Sequence, residues 1–218
     1  MLKVTELSGG GTGINVPDAT ISFEANAQST ADATTYTFSS QDLGTAAANR
    51  PIVVAVGYHS SGSVVAINSI TVGGTGLSST LSTAESTMQT QIWEGDITTG
   101  TSADIVVTFA SGVTRVGIGV WALYGVGASD DNSSVNFSDE ATDINISAGG
   151  VAIGYCLNHS PNAAVSWTNM TERFDDVIDF TSHTGADTSS ATATNPTVTC
   201  DWPTRDSGPL NLIAWPKG

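Results

Sequence analysis

Positive charge is the scarcest feature of this sequence. Lysine and arginine together number 6 against 21 aspartates and glutamates, giving a formal net charge of −15 over 218 residues. A field of that sign repels phosphate and anionic lipid within a Debye length, which argues against nucleic acid and a membrane surface as partners. Cysteine is almost as rare. Cys156 and Cys200 are too few for a disulfide scaffold and lack the C-x-x-C spacing of a zinc or redox site. Both lie in apolar segments, where buried free thiols are expected. No apolar run reaches the roughly 18 residues of a membrane helix. The stretch MLKVTELSGGGTGINVPDAT has no apolar centre of the secretory kind, so neither a membrane span nor Sec export is expected.

Catalytic signatures are missing too. There is no H-E-x-x-H, no G-x-S-x-G and no Walker A pattern, and Gly9-Gly10-Gly11-Thr12-Gly13 precedes no helix that could hold a phosphate. His59, His159 and His183 each neighbour a serine, but adjacency in sequence is not a triad, and no two sit at i, i+2 on a strand. Carboxylates cluster at Asp130-Asp131, at Asp139-Glu140 with Asp143, and at Asp175-Asp176 with Asp179. None matches a calcium loop, so they read as solvated acidic loops. No metal and no cofactor is expected. Glu94, beside Trp93 at a strand end, is the carboxyl to inspect for glycoside hydrolysis, which requires a second carboxyl across a cleft.

What remains is a β composition. Serine and threonine make up about a quarter of the chain, glycine is 23 residues, and only 12% of residues are charged while 39% are hydrophobic. That balance folds rather than staying disordered. Strong helix formers are sparse, and alternating apolar runs punctuated by Gly, Asn, Asp and Ser indicate an antiparallel sandwich or barrel. The clearest strands are 19–24, 35–38, 52–58, 64–72, 88–94, 104–109, 116–123, 144–147, 151–156, 165–170 and 210–215. In 116–123, Val116, Ile118, Val120 and Ala122 form one apolar face and Gly117, Gly119, Trp121 and Leu123 the other. Both faces are expected to be covered, with a large ring such as Trp121 lying across the glycines. A turn at 110–112 is expected to join 104–109 and 116–123 as a hairpin, and Gly73-Gly74 to close a turn at φ > 0. Residues 181–196 read as a long loop or polar edge strand. No repeat of 20 to 50 residues and no linker between two cores is visible. The expected organisation is one sandwich over 18–218 behind an extended arm, 1–17.

The run Ile67-Asn68-Ser69-Ile70-Thr71-Val72-Gly73-Gly74, then Gln91-Ile92-Trp93-Glu94, then Gly100-Thr101-Ser102-Ala103-Asp104-Ile105-Val106-Val107-Thr108-Phe109, then Gly117-Ile118-Gly119-Val120-Trp121-Ala122-Leu123 resembles a group of tailed-phage and prophage virion proteins. The resemblance covers about 52–123 and implies a single jelly-roll-like sandwich in a viral particle, often trimeric. It names no catalytic residue. The function then expected is non-enzymatic: a decoration or cement protein on the outer capsid surface, assembled in the bacterial cytoplasm. Its partners would be the major capsid protein and two further copies of itself. In the arm, Leu2, Val4 and Leu7, followed by Gly9, Gly10 and Gly11, could add a strand to a neighbour's open sheet edge. The alternative is a fibre or spike module binding host glycan. Cement predicts Trp93, Trp121, Trp167, Trp202 and Trp215 in cores or subunit interfaces; glycan binding predicts them exposed as stacking platforms.

Overall fold

A computed structural model describes residues 18–136, 141–161, 164–203 and 208–218. They form seventeen strands: β1 Thr20–Ser29, β2 Ala33–Asp42, β3 Pro51–His59, β4 Ile67–Val72, β5 Thr75–Gly76, β6 Ser78–Glu85, β7 Met88–Asp96, β8 Ser102–Val113, β9 Arg115–Tyr124, β10 Asp131–Val135, β11 Ala141–Asp143, β12 Gly150–Asn158, β13 Ser166–Thr168, β14 Thr171–Ile178, β15 Thr181–Ser190, β16 Thr197–Asp201 and β17 Leu210–Trp215. Every pairing is antiparallel. The all-β antiparallel sandwich is therefore what the chain forms.

Four sheets are stacked. An outer sheet, β2-β8-β4-β5, covers an inner sheet, β1-β9-β3-β7-β6; a second inner sheet, β10-β17-β12-β15-β14, carries a second outer sheet, β11-β16-β13. Alternation along each strand sends side chains to opposite faces, and three apolar layers result. Val54, Val56, Ile105, Val107, Ile118 and Val120 fill the first outer–inner gap. Val53, Ala55, Trp121, Ile153, Phe174 and Trp215 fill the gap between the inner sheets. Ile144, Cys156, Val198, Cys200 and Leu212 fill the last. Strand β9 has both faces covered, as its alternation indicates: Val116, Ile118, Val120 and Ala122 look to the first layer and Trp121 and Leu123 to the middle one.

The two halves have one topology. In each, the first strand pairs with the last, the second with the second-last and the third with the third-last, which is jelly-roll order. Replacing β1, β9, β3, β7 and β6 by β10, β17, β12, β15 and β14 converts one inner sheet into the other; β2, β8 and β4 become β11, β16 and β13. Between the inner sheets β3 faces β12, β1 and β9 face β14, and β10 and β17 face β6. These contacts are related by exchange of the halves, whereas β1 against β15 and β7 against β12 have no comparable counterpart, so the halves meet about an approximate two-fold axis only. Where one sandwich is expected over 18–218, two are found. The sequence hides the division because 125–130 is a short connection of ordinary composition, and because the repeat spans half the chain.

Three local expectations change. The 110–112 turn is not a hairpin, since β8 pairs with β2 and β4 while β9 pairs with β1 and β3 across the sandwich. Ile144 to Ser147 form no strand; Ile146 makes an isolated bridge to Thr194, and the neighbouring strand is β11. Residues 181–190 are strand β15, held between β12 and β14, with Thr181 to Asp187 buried. The Gly73-Gly74 turn is as expected, with φ of 55° and 84° linking β4 to β5.

Candidate functional site

The interface between the inner sheets carries the groups capable of chemistry. Each half sends an indole N–H across it to a carboxylate of the other. Trp215 Nε1 donates to Glu94 Oε2 at 2.8 Å, and Trp121 Nε1 donates to Asp187 Oδ2 at 2.9 Å. Glu94 lies on β7 and Asp187 on β15, equivalent strands in the two jelly rolls.

A cleft opens at each carboxylate. The first, about 480 Å³, is lined by Pro51, Ser78, Glu94 and Asp96 of one half and by Val126 and Trp215 of the other. The second, about 400 Å³, is lined by Thr171, Arg173 and Asp187 with Ala19, Thr20 and Ile21. The local ladders match closely. Ser78 pairs with Glu94 and Thr171 with Asp187, and each short partner strand then bulges, at 79–81 and at 172–174. Thr80 stands in the first bulge and Arg173 in the second.

That one difference sets the electrostatics. Arg173 grips Asp187 with both nitrogens, Nε to Oδ2 at 2.8 Å and Nη2 to Oδ1 at 2.7 Å. The bidentate bond to Asp187 raises the guanidinium's pKa further. Thr80 cannot do this; its hydroxyl donates to Ile92 O. Burial holds the Glu94 carboxyl above its usual range, opposed by the Trp215 hydrogen bond and reinforced by Asp96. No lysine or arginine pairs with Glu94 or Asp96 among the described residues: Arg50 binds carbonyls, Arg115 pairs with Asp179, Arg173 with Asp187 and Lys217 with Asp18.

At another edge of the same interface, His59 and His159 stack face to face, centroids 5.1 Å apart and planes 3° from parallel, and the Phe180 ring stands edge-on to both. His59 ends β3 and His159 follows β12, the equivalent strand. Both ring nitrogens of His59 contact hydroxyls, Thr114 Oγ1 at 3.2 Å and Thr87 Oγ1 at 3.0 Å. Its pKa is lowered by burial first, then by His159 and Arg115. His183, fully buried on β15, lies 2.9 Å from the Tyr155 hydroxyl through Nδ1. Burial depresses it to about 3, so the ring is neutral at pH 7 and the 3.8 Å approach of Asp176 is not an ion pair. Among the described residues no three metal-ligating side chains converge.

The other residues singled out by sequence fall as follows. Leu2, Val4, Leu7, Gly9, Gly10 and Gly11 lie outside the described residues, as do Asp139 and Glu140. Trp93 is buried in the first core layer and donates to Gln91 Oε1; Trp121 and Trp215 are buried in the middle layer; Trp202 is buried in the last. Trp167 is half-buried, packed over Gly154 and bonded to Thr184 Oγ1. Four of the five are thus buried in core layers, and Trp167 keeps part of its surface exposed. Cys156 and Cys200 are buried free thiols. Asp131 and Asp143 are hydrogen-bonded to Asn145 and Thr197. Arg173 and Asp187 carry no sequence motif; the only signal for them is the duplication, which becomes visible once the strand order is known. Compared with protein-family models, curated proteins and solved structures, the chain matches none.

Proposed function

We propose that this protein is a non-enzymatic structural component of a tailed-phage virion, decorating the outer capsid surface as a cement. The observation that carries the reading is the architecture: two jelly rolls packed face to face into a four-layer block. Burial of all three apolar layers makes such a block stiff, and its outer sheets and free strand edges offer surface to neighbours. The placement of four of the five tryptophans in core layers supports cement over glycan recognition.

The mechanism is physical. Contacts to the major capsid protein and to two further copies of this chain are individually weak. Once one is made the rest become intramolecular, and together they hold adjacent capsomers against internal pressure. The arm, 1–17, would add a strand to a neighbour's edge. The test is to count copies of this chain per major capsid subunit in purified particles. Hundreds spread over the shell are expected; a handful at the tail would overturn the cement reading and favour a receptor-binding fibre. Deletion of 1–13 should abolish particle binding with the sandwiches still folded, and unchanged occupancy would remove the arm from the mechanism.

A further inference from the structure

We propose that the cleft at Glu94 binds a guanidinium cation, the side chain of an arginine presented by another protein chain. The molecule carries its own template for that complex. In the equivalent cleft, Asp187 accepts one hydrogen bond from the Trp121 indole and two from the guanidinium of Arg173. At Glu94 the indole bond is present, from Trp215, and the carboxyl occupies the equivalent place in the ladder, but Thr80 stands in the bulge where Arg173 would be. The cleft there is the larger of the two, about 480 Å³ against about 400 Å³, and adds Asp96 two residues along the same strand. Among the described residues the four cations, Arg50, Arg115, Arg173 and Lys217, are all engaged elsewhere.

Guanidinium fits better than ammonium because its planar fork can donate two parallel bonds to a carboxylate whose third contact is an indole N–H. A net charge of −15 favours the approach of such a cation. The site does not depend on the virion reading, since any partner with an exposed arginine satisfies it.

The test is calorimetric titration of the full chain with N-acetyl-arginine amide, alongside N-acetyl-citrulline amide, its neutral isostere, and N-acetyl-lysine amide. Saturable one-site binding of the arginine probe is expected, at least tenfold tighter than either comparison. Glu94→Gln keeps an oxygen acceptor for the Trp215 indole and should weaken binding at least tenfold. Thr80→Arg supplies the missing guanidinium from within and should abolish binding. Absence of saturable binding, equal binding of citrulline, tighter binding of lysine, or unchanged affinity in Thr80→Arg would overturn the proposal. The citrulline and lysine comparisons need no variant, so they decide the matter even if a substitution unfolds the chain.

Discussion

Arg50 shows how a charged residue can be structural without an ionic partner. It is fully buried and donates to five backbone carbonyls: Ile97 through Nε, Leu43 and Gly44 through Nη1, Thr99 and Gly100 through Nη2. These oxygens belong to the loops before β3 and after β7, so one side chain replaces the ladder both segments lack. Arg50→Met should destabilise by about 3 kcal/mol, because buried carbonyls lose their partners, and Arg50→Lys by less; urea denaturation monitored by far-UV circular dichroism measures both. Asp187→Ala should cost a similar amount, about 3 kcal/mol, since it strands the Trp121 indole and the Arg173 guanidinium together. Gly119 was legible in sequence as a place for a ring. An added Cβ there would lie 2.7 Å from the Trp121 ring and 2.9 Å from Phe174. Gly119→Ala should therefore destabilise by roughly 2 kcal/mol through overpacking.

Strand β15 is where sequence reasoning has least purchase. Its residues, Thr181-Ser182-His183-Thr184-Gly185-Ala186-Asp187, have the polarity of a surface loop, yet the ladder to β12 on one side and β14 on the other places them in the interior. Partners compensate for their burial. Thr181 Oγ1 donates to Ile178 O, Ser182 Oγ to Ser160 O and Thr184 Oγ1 to Phe174 O, while His183 meets Tyr155 and Asp187 meets Arg173. Gly185 leaves the space that Phe174 and Trp121 fill. Each partner comes from another strand or turn, so no local pattern could have disclosed the arrangement. By contrast β3 and β9 are apolar enough to be read directly, because the burial of their aliphatic side chains needs no partner. The consequence for β15 is a pH dependence. His183 has a folded-state value of about 3 against an ordinary 6.5, so between those limits the unfolded chain binds a proton the folded chain refuses. Stability is full above pH 6.5 and falls as pH drops towards 3, by up to about 1.4 kcal/mol per unit. His59, also lowered, adds loss of the same sign at the acid end of the His range. Glu94 acts oppositely, since its raised carboxyl contributes stability that is lost as pH rises through its folded value. His183→Leu should flatten the slope of stability between pH 6 and 4, read from denaturation midpoints; an unchanged slope would mean that another group governs it.

At the scale of the whole molecule the middle apolar layer joins the halves. Val53, Ala55, Ile92, Trp121 and Leu123 of one jelly roll face Val151, Ile153, Tyr155, Phe174 and Trp215 of the other, and neither set is covered by its own outer sheet. The two halves should unfold in one transition, with near-UV and far-UV signals coincident in urea. Residues 18–128 expressed alone should self-associate through the exposed inner face, seen as a dimer or aggregate in sedimentation. Two separate transitions, or a monomeric half, would show that the layer does not couple them.

Sequence by itself determined the β class, the apolar faces of the central strands and the Gly73-Gly74 turn, because each follows from side-chain period, backbone freedom or composition within a few residues. The tertiary structure alone decided that the chain is two jelly rolls rather than one, that a polar segment is a central strand, and that Glu94 and Asp187 are counterparts differing by one cation. Those facts depend on which distant strands pair, and pairing is fixed by the joint burial of whole sheets rather than by any local run of residues.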